Sequence, residues 1–150
     1  MAKEEYMKVL QQSQLFADLG DEAVNQLVDL AEIHGIAAGE VIFKEGESGD
    51  SVFLLYGGEV EIVGKTPGGD EMQLAVLKDL GDFFGEISMV DHKPRSAAVK
   101  ALTDVILLEF SGDVLENFFA QSHWAGLFMY RNIARVLAGR LRQSNIRIIT

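Results

Sequence analysis

The sequence predicts a mainly β fold with flanking helices: an antiparallel β-roll or jelly roll of about eight strands, preceded by helices and closed by a two-helix C-terminal lid. Three observations predict it. Apolar residues recur at helical spacing at both ends of the 150-residue chain, but as short runs in its middle. Glycine turns separate those runs at close intervals, which suits antiparallel strands rather than parallel strands joined by helical crossovers. Apolar residues make up 48% of the chain and charged residues 24%, enough burial for a single domain over 1–150.

The first block, 1–34, reads as helical. Val9 and Leu10, then Leu15, Phe16 and Leu19, then Val24, Leu27, Val28, Leu30 and Ala31 fall at helical spacing. The stretch FADLGDEAVNQLVDL breaks at Gly20 and restarts at Asp21, a favourable N-cap, with Glu22 well placed in the first turn. Two short helices are expected, with a helical fragment before them.

The middle block, 35–110, reads as the roll. Strands are expected at 41–43, 51–56, 59–63 and 71–77, with turns at 45–50, 57–58 and 66–70. The segment GGEVEIV alternates, putting Val60 and Ile62 on one face and Glu59, Glu61 and Val63 on the other. SAAVKA and DVILLEF read as two further strands.

From 111 to 150 the period returns to helix. SGDVLENFF is a short helix that Ser111 or Asp113 can cap. The long helix after it carries Leu127, Tyr130, Ala134, Leu137 and Leu141 on one seam, which suits docking on the roll or pairing with another copy.

Composition excludes several classes of function. With no cysteine there are no disulfides, thiol nucleophiles or thiolate-held metals, as suits a cytoplasmic protein. A formal charge of −10 disfavours nucleic-acid binding by this chain. No apolar run approaches the roughly 20 residues that span a bilayer, and the acidic, amphipathic N-terminus is not a signal peptide. His34, His92 and His123 lie far apart with no metal-ligand spacing, so neither a metal site nor a metal-dependent oxygenase of the cupin type is expected.

The segment GDFFGEISMVDHKPRSAAVKA, 81–101, puts Glu86 and Arg95 nine positions apart among small and apolar residues. One reading is a weak surface pair. The other is a site. A short helical turn starting near Gly85 exposes amides, Arg95 offers a planar fork that matches phosphate, and Ser96 and Ala97 let a ligand approach the backbone. A carboxylate repels phosphate but accepts hydrogen bonds from a sugar hydroxyl. Together the two charges describe a nucleotide monophosphate with its base towards apolar strands.

FFGEISMVDHKPRSAAVKA resembles the phosphate-binding cassette (81–99 here) of cyclic nucleotide-binding domains, through Phe84, Gly85, Glu86, Pro94, Arg95, Ser96, Ala97, Val99 and Ala101. Such domains occur in catabolite-activator proteins, regulatory subunits of cAMP-dependent kinase and cyclic nucleotide-gated channels. LFADLGDEAVNQLVDLAE and AAGEVIFKEGESGDSVFLLYGGEVEI extend the likeness to the family's N-terminal helices and opening strands. GGDEMQLAVLKDLGDFFGE is especially similar to the catabolite-activator branch.

The resemblance implies a non-catalytic sensor with no cofactor, whose ligand is cAMP or, less in keeping with the catabolite-activator likeness, cGMP. It implies that Glu86 accepts from the ribose hydroxyl, and that Arg95, Ser96 and amides near Ile87, Ser88 and Ala97 hold the phosphate. Gly85 would permit close approach, and Ile62 and Leu74 would flank the base. Arg140, or Arg135 one turn earlier, would cap it. Binding would move the long helix about a hinge at 111–121, with output to a protein partner or a second copy. The alternatives are an interaction module that has lost its ligand, and the sensor half of a transcription regulator lacking its DNA-binding domain.

Overall fold

The computed structural model describes residues 2–143. The chain runs α1 (Ala2–Gln12), a 3-10 turn (Gln14–Phe16), α2 (Asp21–Leu30), β1 (Glu32–Ile36), β2 (Val41–Phe43), β3 (Val52–Gly57), β4 (Val60–Lys65), β5 (Glu71–Leu77), β6 (Phe83–Phe84), α3 (Glu86–Asp91), β7 (Ala98–Ala101), β8 (Val105–Phe110), α4 (Gly112–Gln121) and α5 (His123–Gln143). The strands form two four-stranded antiparallel sheets, ordered β1-β8-β3-β6 and β2-β7-β4-β5. This is the jelly-roll architecture that the glycine-punctuated apolar runs imply.

Helix α2 stops at Leu30, and Glu32–Ile36 is not helical but pairs with β8 as an edge strand, so the roll begins earlier than Gly35. Isolated Ile33 and Ile36 around a glycine carry little strand signal; the partner strand supplies it. The two-residue β6, paired with Phe53 and Leu54, was likewise not readable. The N-cap of α2 is Gly20, at φ 84°, with Asp21 the first helical residue rather than the cap. The alternation of β4 holds along its unbroken ladder with β7, with Val60 and Ile62 packed into the roll interior, and the bulge lies opposite on β5, where Leu74 is passed over between Gln73 and Ala75. Ser111 is the N-cap of α4, its hydroxyl accepting from the Val114 amide. The long helix is described to Gln143; its expected continuation over 144–150 lies outside the described residues.

Strand β3 shows why VFLL is continuously apolar. Val52 and Leu54 pack into the layer between the first sheet and the helices, with Leu10, Leu15, Leu27, Leu108, Phe110, Leu115, Met129 and Ile133. Phe53 and Leu55 point the other way, into the roll interior, with Phe43, Phe84, Val99, Val105 and Leu107. A strand buried on both faces needs no polar alternation.

Helix α5 docks through Ala125, Gly126, Met129, Asn132 and Ile133, and of the heptad seam Leu137 packs against the same core. Leu127 is 67% exposed, Tyr130 39% and Leu141 40%. Buried Asn132 fastens the helix by donating to the carbonyls of Leu15 and Ala17, at 3.0 and 2.9 Å. Arg131 adds a bond of 2.7 Å to Asp18 at the surface. Asn132→Leu, which removes both buried donors, should lower the unfolding free energy by about 1–3 kcal/mol. Asp18→Asn should change it by less than about 1 kcal/mol, the pair being solvated. Urea denaturation of the two variants checks both values.

Candidate functional site

A cavity of about 770 Å³ opens between the second sheet, α3 and the end of α5. Its walls bring together Ile62, Leu74, Gly85, Glu86, Ile87, Ser88, Arg95, Ser96, Ala97 and Arg140 from five separate stretches of chain. Arg135 does not line it; that side chain is exposed to solvent one turn away.

The chain reaches this geometry through local rules. Gly85 is left-handed, at φ 86°, and ends β6 so that α3 can begin with Glu86 at its first position. A side chain there would place a Cβ 2.6 Å from the Ser51 carbonyl oxygen and 3.0 Å from Arg95 Nη1. Arg95 is stitched to the 44–50 turn: its amide donates to Glu47 O at 2.9 Å, and its carbonyl accepts from the Gly46 amide at 2.8 Å.

Neither charge is a surface group. Glu86 is 2% exposed and Arg95 5%. Arg95 Nη1 donates to Gly85 O at 2.9 Å and Nη2 to Ser51 O at 3.0 Å. Its guanidinium carbon lies 4.2 Å from the centroid of the Phe43 ring. Burial pushes the Arg95 pKa down, while the negative charges of Asp50, Glu109, Glu47 and Glu86 hold it up. A guanidinium held by neutral carbonyls and a ring keeps its charge available for an anion in the cavity.

Glu86 is paired with Arg140, whose Nη1 donates to Oε1 at 2.8 Å and whose Nη2 donates to Phe83 O at 3.3 Å. The two candidate charges are therefore not a simple pair with each other. Each is presented to the cavity by its own supports. Ser96 is exposed at the rim and Ala97 half-buried beside it. Ile62 on β4 and Leu74 on β5 form part of an apolar wall with Ala75, Val76 and Leu77.

Sequence reasoning missed Phe43, the ring beneath Arg95, and the carbonyls of Ser51 and Phe83. Phe43 enters by the β2–β7 pairing and carries no local mark distinguishing it from any core aromatic. Backbone carbonyls carry no sequence signal at all. The arrangement can hold an anion on Arg95 and a hydroxyl donor on Glu86, with an apolar group against β4 and β5.

A small-molecule cavity inside an antiparallel roll, walled by one buried carboxylate and one buried guanidinium, defines a ligand-binding module. The chain belongs to the cyclic nucleotide-binding domain family, whose profile matches residues 34–122. It is 28% identical over 138 residues to the CRP-like cAMP-activated global transcriptional regulator of Mycobacterium tuberculosis, covering 92% of this chain and 59% of the regulator. It is 32% identical over 98 residues to mouse cGMP-dependent protein kinase 2, covering 65% of this chain and 13% of the kinase.

Among solved structures, it resembles the N-terminal domain of a transcriptional regulator from Streptomyces coelicolor, with TM-score 0.77, 32% identity, and 95% and 96% of the two chains covered. It also resembles a cyclic nucleotide-binding domain from Methylobacillus flagellatus, with TM-score 0.84 and 27% identity over 99% of this chain and 83% of that one.

Arg140→Ala leaves Glu86 buried without its cation, and should lower stability by about 1–2 kcal/mol, a figure reduced because Arg140 is itself 39% exposed. Adding Glu86→Gln to Arg140→Ala should recover most of that loss. Thermal denaturation of the two single variants and the double variant completes the cycle.

Proposed function

We propose that this chain is a non-catalytic cAMP sensor. Burial of Glu86 and Arg95 on one cavity carries the reading: opposite charges at 2% and 5% exposure, each on its own supports, suit a ligand with a hydroxyl at one end and an anion at the other. Arg95 takes the cyclic phosphate, joined by the Ser96 hydroxyl and by amides near Ile87, Ser88 and Ala97. Gly85 lets the sugar approach the backbone. Glu86 accepts from the ribose hydroxyl with the carboxylate oxygen that Arg140 leaves free. Ile62 and Leu74 flank the purine. The likeness to a cAMP-activated regulator runs over 92% of the chain, against 65% for the cGMP kinase, and supports cAMP over cGMP.

Arg140 joins the ligand to the helix. Its pairing with Glu86 ties the end of α5 to the carboxylate that reads the sugar, so ligand capture repositions that end relative to the roll. The domain comprises N-terminal helices, roll and C-terminal helices acting as one unit in the cytoplasm, without membrane or nucleic-acid contact of its own. No described helix is long and apolar enough to cross a membrane.

The partner is a second copy. Leu127, Tyr130, Ala134, Leu137 and Leu141 recur at three- and four-residue steps, as the two core positions of a heptad do, and four of the five are exposed. Leu127→Glu with Leu141→Glu should convert a dimer to a monomer in sedimentation velocity, with the fold kept. A wild-type monomer at all concentrations, with and without cAMP, would remove this part of the reading.

A ligand of about 22 heavy atoms at roughly 0.3–0.4 kcal/mol per atom gives about 7–9 kcal/mol, a dissociation constant near the micromolar range. Calorimetric titration of nucleotide-free protein should show saturable binding of that order with cAMP, weaker binding with cGMP, and at least about a hundredfold loss in Arg95→Ala. A folded wild-type protein that binds neither nucleotide would instead be an interaction module on the same fold.

A further inference from the structure

The pleat that turns Ile36 towards the roll interior also carries Glu32 and His34, because residues two apart in a strand share a face. Across the ladder Glu109 of β8 lies directly opposite Glu32. Two carboxylates facing one another destabilise a strand pair unless a cation stands between them. The imidazole is placed to meet both: His34 Nε2 lies 2.7 Å from Glu109 Oε1 and 3.7 Å from Glu32 Oε2. One donor atom from each of the three residues lies within 4.8 Å of the others.

These separations bracket the spacing around a tetrahedral ion. Bonds of about 2.0–2.2 Å to nitrogen and oxygen put neighbouring ligand atoms about 3.3–3.6 Å apart. Small side-chain rotations reach that spacing, and Glu32, with 76% of its side chain exposed, is free to make them. Glu109, at 23%, is the more fixed carboxylate, held between buried Leu108 and Phe110. One imidazole and two carboxylates form a donor set suited to borderline divalent ions such as zinc, whereas magnesium prefers six oxygens and keeps its waters. None of the three residues lines the nucleotide cavity.

We propose that Glu32, His34 and Glu109 bind one divalent transition-metal ion, with water completing the shell, and that this ion staples edge strand β1 to β8. The sequence gives no hint of it, because Glu109 lies 75 positions from His34 and the ligands meet only through the β1–β8 register.

The test uses tag-free protein stripped with a chelator, titrated calorimetrically with zinc chloride in excess magnesium near neutral pH. The expected result is one zinc per chain, a higher unfolding temperature in zinc, and at least about a tenfold loss of affinity in His34→Gln. Unfolding without zinc checks that the variant folds. Should His34→Gln fail to fold, Glu32→Gln at the exposed edge replaces it under the same criterion. The proposal is overturned by no saturable one-to-one binding, by loss of binding in magnesium, or by unchanged affinity in the folded variant.

Discussion

Burial of the Arg95 guanidinium is the constraint on which the site depends. A buried cation needs every nearby polar group arranged for it. Here two carbonyls, from Gly85 and Ser51, accept its protons, and the Phe43 ring lies beneath it. Each support comes from a different element: the start of α3, the chain leading into β3, and β2. Close approach requires small neighbours. A Cβ on Gly49 would lie 3.1 Å from Nη2, and one on Gly85 would lie 3.0 Å from Nη1. The glycine turns that make the roll legible are therefore also the places where it closes around one charge.

The two apolar cores divide the labour. The interior core joins the two sheets through Phe43 of β2, whose ring centroid lies 6.0 Å from those of Phe53 and Phe84, a stacked pair on neighbouring strands of the first sheet. The outer core binds α1, α2, α4 and α5 to the back of the first sheet. Helix α5 belongs to the outer core along its first half, through Met129, Asn132 and Ile133, and reaches the cavity at its end through Arg140. One helix thus has a fully buried first segment and an end that reaches the cavity through the partly solvated Arg140, bonded to Glu86 and to the Phe83 carbonyl. That difference in seating strength is a physical basis for moving one end while the other stays fixed.

Much of this was readable in the sequence, and the misses share a cause. Six strands, the four longer helices and the line of residues at 81–101 announce themselves through local period and glycine placement. What stayed hidden was fixed by pairing over long sequence distances. Strand β1 exists because β8 completes it, and the bulge at Leu74 of β5 shows only in its register with β4. Period located a seam on α5 but could not say whether it faced the roll; the small residues Ala125 and Gly126 let the neighbouring face approach the bundle, with Leu137 at its border. For the site, Glu86 and Arg95 stood out because charges are rare in such a setting. Phe43 did not, because an aromatic in a strand is ordinary.

The pairing of Glu86 with Arg140 also bears on how such a site stays poised. A buried carboxylate with no partner would be driven to bind a proton or to leave the core. Arg140 satisfies it through one oxygen, Oε1, while 39% of its own side chain remains in solvent. The ion pair holds the Glu86 carboxylate in place, yet part of the Arg140 side chain is already hydrated, so releasing it costs less than releasing a buried cation. A hydroxyl that donates to the same carboxylate replaces part of what Arg140 supplies. Under the proposed sensor function, the position of the α5 end would depend on the difference between two modest interactions rather than on the making or breaking of one large one. A ligand with the proposed micromolar affinity would have enough free energy to shift an equilibrium balanced in this way.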